Sequence, residues 1–139
     1  MYSIKTENFL LELNPELNEE DIPYPINTNL YVTVSSSGFS VKEAVMEIDV
    51  KDLAEFARTL HEVYETLSGA AELREPYGAQ GFIRMTADRS GRVITNGKLS
   101  SSDADGHSQT LLFQNEFDQT YLKNFAKKLF ADYTYYLKK

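Results

Sequence analysis

Two histidines, 21 carboxylates and several runs of serine are the groups in this 139-residue chain that could do chemistry. His61 and His107 are far apart, and neither belongs to an HExxH motif or a pair at metal-ligand spacing. Asp103, Asp105 and His107 alternate within DADGHS, the one arrangement that suggests a divalent ion. That loop lacks the acidic twelve-residue pattern and closing bidentate glutamate of an EF-hand, so it reads as a solvated turn. The absence of cysteine removes disulfides, thiolate nucleophiles and Cys-ligated metals. The serines at 35–37 and 100–102 fall at turns and form no GxSxG elbow. No GxGxxG or GxxxxGK run is present to cradle a nucleotide phosphate. The residues therefore point to binding rather than catalysis, with no cofactor and no metal. An acid–base site assembled from scattered residues is the catalytic alternative.

The acids say more than the nucleophiles. Residues 1–68 carry 13 acids and 4 bases, a charge of −9; residues 69–139 carry 8 acids and 10 bases, or +2, giving −7 in all. Such a surface disfavours direct contact with nucleic acid, which draws on clustered Lys and Arg. It favours a basic partner and speeds its approach. It also serves the simpler purpose of keeping a small protein soluble. Four of the acids fall in residues 14–29, NPELNEEDIPYPINTN, where three prolines and poor periodicity predict an exposed loop. Loops of this length are uncommon without a role. Glu16, Glu19, Glu20 and Asp21, with Tyr24 between two prolines, are its candidate contact residues; an ordinary solvated loop is the competing reading.

These residues need a scaffold. Its centre is the stretch from Asp49 to Gly69, where Val50, Leu53, Phe56, Ala57, Leu60, Val63, Tyr64 and Leu67 form one stripe at helical spacing. Asp49 suits the N-cap, and Gly69 suits the left-handed stop. Before it, strands are expected over residues 3–13, 30–36 and 39–48, the last two joined at Ser37-Gly38. The break in alternation at Phe9-Leu10-Leu11 suggests a bulge or a two-sided strand. After it come strands at 70–74, 82–87, 92–100 and 109–117, with a tight turn at 88–91 and a possible bulge at Gly97. A second helix is expected over 119–137, with its stripe at Leu122, Phe125, Ala126, Leu129, Phe130, Tyr133 and Leu137. Tyr135 and Tyr136 cannot both face inward, since successive helical residues are about 100° apart. One of them is either a binding anchor or a wrap of the helix end against the sheet edge.

The order βββ-α-ββββ-α, with hairpin-length links between strands, predicts an α+β fold: an antiparallel β-sheet with two amphipathic helices packed on one face. One domain, residues 1–139, is expected, with eight Phe and nine Tyr available to fill its core. The N-terminus has no basic start or apolar run of a signal peptide, and no segment approaches the ~20 apolar residues of a membrane span. A soluble protein of the reducing cytoplasm is expected.

LYVTVSSSGFS, then LAEFARTLHEVYETLSGAAEL, the paired strands around Asp88–Gly91 and TLLFQNEFDQTYLKNFAKKL follow one another over about residues 30–130. In that order they resemble the WapI-like immunity protein family, small bacterial proteins that neutralise the toxic C-terminal region of a contact-dependent toxin. Related chains often carry a Trp in the second strand, where Tyr31 stands nearby, and the Pro-rich acidic loop has no counterpart. The resemblance implies inhibition by binding, with a cognate toxin domain, often a nuclease, as the partner. Nuclease toxins bear basic substrate surfaces that an acidic protein can occupy in place of phosphate. No individual binding residue carries over. A non-catalytic small-ligand-binding or scaffold domain is the alternative, and a deep apolar pocket between helices and sheet would favour it.

Overall fold

The computed structural model describes residues 1–138; Lys139 lies outside them. The fold is α+β and antiparallel, as expected, with one strand more than predicted. The segment read as a single first strand is a hairpin, β1 (Tyr2–Lys5) and β2 (Phe9–Leu17), joined by a turn that Thr6 closes by donating its N–H to the Phe9 carbonyl at 2.8 Å. The break in alternation at Phe9-Leu10-Leu11 is therefore the start of a strand rather than a bulge. Phe9 and Leu11 face the core, and Leu10 faces outward between Lys5 and Ser35. Pro15 lies within β2 but beyond the end of β1, where the outer side of the strand is unpaired and a missing N–H costs nothing.

β2 continues antiparallel into β3 (Thr28–Ser36) and β4 (Phe39–Ile48). Ser37 and Gly38 both take positive φ, 49° and 92°, the two-residue turn that matches the twist of a hairpin. A bulge does occur, opposite Thr33: Glu43 has φ of 54° and donates its N–H to the Thr33 hydroxyl at 3.0 Å. The chain then enters helix α1 (Val50–Thr66) and returns as β5 (Ala70–Arg74), β6 (Phe82–Ala87), β7 (Arg92–Ser102) and β8 (Ser108–Asp118). The eight strands form two four-stranded sheets in simple sequential order, β1-β2-β3-β4 and β5-β6-β7-β8.

One buried cluster joins both sheets and both helices. Phe9 of the first sheet stacks on Phe117 of the second at 6.0 Å and lies 6.3 Å from Phe113. Asn115 donates its side-chain N–H to Ser36 Oγ at 3.0 Å and lies 3.4 Å from the Asn8 carbonyl, a polar tie across the same seam. α1 rests on β5 and β6, and α2 (Lys123–Tyr133) on β1; the helices also pack on each other. The predicted stripe of α1 is buried from Val50 to Val63 and half-buried at Tyr64 and Leu67; Leu53, Phe56 and Leu60 are fully buried, each worth roughly 1.5–3 kcal/mol of transfer free energy. Asp49 caps the helix by accepting the Lys51 N–H at 2.9 Å. The left-handed stop falls on Leu67 (φ 52°), two residues before Gly69.

The second helix is shorter than predicted. Short 3-10 segments, Gln119–Tyr121 and Thr134–Lys138, flank it. Tyr133 packs edge-on against Tyr2 and stacks with Tyr136, while Tyr135 meets Tyr136 edge-on, so the tyrosines wrap the helix end onto β1. The Tyr2 hydroxyl donates to Asp132 at 2.6 Å, and its burial pushes its pKa up. No helix among the described residues is long and apolar enough to cross a membrane.

Candidate functional site

The acidic stretch is more ordered than the loop expected from its composition. β2 runs on to Leu17 and β3 begins at Thr28, so only ten residues connect them, and Glu19–Asp21 form a 3-10 turn within that link. Two asparagines hold it. The Asn18 side chain accepts the Glu20 N–H at 3.2 Å and donates to the Asp21 carboxylate at 2.8 Å; its backbone N–H bonds to the Asn27 carbonyl at 2.8 Å. Asn27 is buried. Its side-chain oxygen accepts the Val50 N–H at 2.8 Å and the Thr28 hydroxyl at 2.9 Å, and its amide donates to the Tyr24 carbonyl at 3.1 Å. The acidic turn is thus fastened to the first turn of α1. These residues carry none of the charge, and reading the stretch for charge and proline passes over them. The signal for them was the pair of asparagines flanking the loop, since Asn readily bonds nearby backbone groups.

Of the five sequence-derived candidates, Glu16, Glu19 and Asp21 line one open hollow of about 390 Å³, together with Asn18, Ile26 and Asn29. Glu20 lies in the same turn but outside the hollow. Tyr24 is 64% exposed and also stands apart from it.

The two sheets present outer faces of opposite character. On the first, cross-strand rows place Glu16 beside Asn29 and Glu47, and Glu12 beside Thr33. No ion pair involves Glu12, Glu16, Glu19, Glu20, Asp21 or Glu47 among the described residues. On the second, one row carries Arg74, Phe82, Lys98 and Leu112, and the next carries Glu72, Arg84, Asn96 and Gln114. There the acids are matched, with Glu72 at 3.3 Å from Arg74 and Glu116 at 3.7 Å from Arg92. Uncompensated negative charge therefore gathers on the first sheet and its 3-10 turn.

The remaining chemical groups have structural work. His61 stacks on Phe130 with ring centroids 4.4 Å apart, joining α1 to α2, and its Nε2 lies 3.4 Å from Glu65. Asp103, Asp105 and His107 bring ligand atoms within 4.8 Å of one another on the β7–β8 turn. The Asp103 carboxylate accepts the N–H groups of Asp105 and His107, both at 2.9 Å, which is how an aspartate closes a turn without an ion.

No curated protein and no solved structure matches the chain. A family model does, that of the immunity protein WapI-like family, and it extends over residues 5–137, from β1 through both sheets and both helices. With all but the chain ends inside that match, this protein belongs to the WapI-like immunity protein family.

Proposed function

We propose that the chain neutralises a toxin domain by binding it, without catalysis, and that its acidic first sheet and 3-10 turn make the contact. Family membership over residues 5–137 supports the immunity role. The observation that carries the choice of surface is the set of carboxylates without a cation partner at Glu16, near the end of β2, and at Glu19, Glu20 and Asp21, on the turn that Asn18 and Asn27 fix in place. A preorganised acidic surface suits a basic partner, because little ordering is left to do on contact. A nuclease toxin offers such a surface where its substrate phosphates bind. Tyr24, exposed in the same connection, would supply an aromatic contact. The small-ligand alternative needs an apolar pocket between helices and sheets; Phe56, Leu60, Phe125 and Leu129 are buried in that region and give it no support.

Co-expression with a toxin domain, sought among the reading frames adjacent to the one for this chain, tests the reading: protection and co-purification are expected, and failure of both overturns it. For the surface, Glu19→Lys, Glu20→Lys and Asp21→Lys together should slow association by roughly 10–100-fold at low salt and flatten its ionic-strength dependence. Stopped-flow or surface-binding kinetics check this. Unchanged association rates would move the contact to another face.

A further inference from the structure

A second concavity lies beside the acidic turn, between β4 and the connection that follows β5. It has a volume of about 190 Å³, and its walls include Ile26, Val45, Glu47, Glu75, Tyr77 and Ser100. Glu75 is the fixed point. One carboxylate oxygen accepts the Glu47 backbone N–H from the first sheet at 2.9 Å, and the other accepts the Gly81 N–H at 2.9 Å. Gly81 permits this approach, because a Cβ there would sit 3.0 Å from the same carboxylate oxygen. Backbone donors orient the carboxylate but do not neutralise it. No cation pairs with Glu75 or Glu47 among the described residues. Tyr77, 68% exposed, is one of its lining residues. Ile26 lines both this cleft and the acidic hollow, so the two lie side by side with that residue in the wall of each. It does so with φ of 61°, a costly conformation for a β-branched residue that the anchored Asn27 beside it maintains.

We propose that this cleft is an anchor pocket for an arginine side chain of a partner protein. Two carboxylates without cations set the charge, and an exposed tyrosine ring among the lining residues suits a planar guanidinium that can stack while its forked N–H groups reach the carboxylates. The volume admits one such group. The identity of the partner as a toxin rests on the reading above; the chemistry of the pocket does not.

The test uses the whole 15N-labelled chain and two probes of equal size, acetyl-arginine amide and its uncharged counterpart acetyl-citrulline amide. Saturable shifts are expected at the amides of Val45, Glu47, Tyr77, Gly78 and Ser100 with the arginine probe, and binding at least about tenfold weaker with citrulline. Glu47→Gln should weaken the arginine probe by roughly fivefold and leave the rest of the spectrum in place, since the backbone N–H of residue 47, not its side chain, holds Glu75. Tyr77→Ala should weaken it independently. No saturable shift up to about 50 mM, equal response to citrulline, or shifts spread evenly over the Glu19–Asp21 turn would each overturn the proposal. Arginine binding at the cleft without capture of any toxin domain tested in co-expression supports the pocket and removes the toxin. Toxin binding that is indifferent to Glu47→Gln and Tyr77→Ala removes the pocket and keeps the toxin.

Discussion

Gly97 and Thr95 sit two residues apart on the buried side of β7, and each is fixed by a different neighbourly demand. A Cβ at Gly97 would come within 2.5 Å of the Phe82 carbonyl oxygen and 2.6 Å of the Phe113 ring, both parts of adjoining strands. The pairing on either side of Gly97 runs without interruption, so the bulge suggested by its place in a strand is not there. The glycine makes room for the ring. Gly97→Ala should therefore destabilise the protein by about 2–4 kcal/mol, measurable as a drop in denaturant midpoint with unchanged slope. Thr95 has the reverse problem. It is fully buried, and its hydroxyl finds no hydrogen-bond partner. Thr95→Val keeps the shape and removes the orphan, so it should stabilise by about 1 kcal/mol in the same titration. Neither fact was legible in the sequence, where a glycine and a threonine in a strand look alike whatever faces them. The apolar stripe of α1 was legible, because it depends only on spacing along one chain.

At the scale of elements, ends and turns were read less well than interiors. The sequence places Asp49 correctly as a helix cap, a local matter of one carboxylate and one N–H. It does not show that residues 2–17 fold back as a hairpin, because that depends on β3 and β1 flanking β2 on opposite sides. The acidic link looked unstructured for a similar reason: its order comes from Asn27 bonding to α1, 23 residues further on. Two aspartates show how turns depend on charge. Asp88 lies below the usual carboxylate range through its hydrogen bonds from Ser90 and Arg92, and Asp118 through the Thr120 N–H. With folded values depressed below the ordinary 3.8, their contribution is complete above that pH and is lost as the pH falls through the folded values. Thermal melts should show Asp118→Ala and Asp88→Ala less stable than the parent at pH 7, with the gap closing by about pH 2.

For the whole molecule, the segregation of unpaired acids onto the first sheet gives the surface its direction. The charge imbalance between the two halves of the sequence foreshadowed it, because each half supplies nearly one whole sheet. The division into two sheets was not foreseeable, since hairpin links are equally compatible with one sheet or two.

The packing of Phe9 against Phe113 and Phe117 also sets a timetable. The partners of Phe9 emerge more than a hundred residues later in synthesis; at about 5–20 residues per second that is a wait of roughly 5–20 s. Until then the first sheet has an open apolar side. A chain ended before Ser108 should accordingly lack the near-ultraviolet dichroism of fixed tyrosine packing and give no protection in co-expression. On the proposed immunity reading, only finished copies would then protect a cell, and its margin would be set by how many are already folded when a toxin arrives.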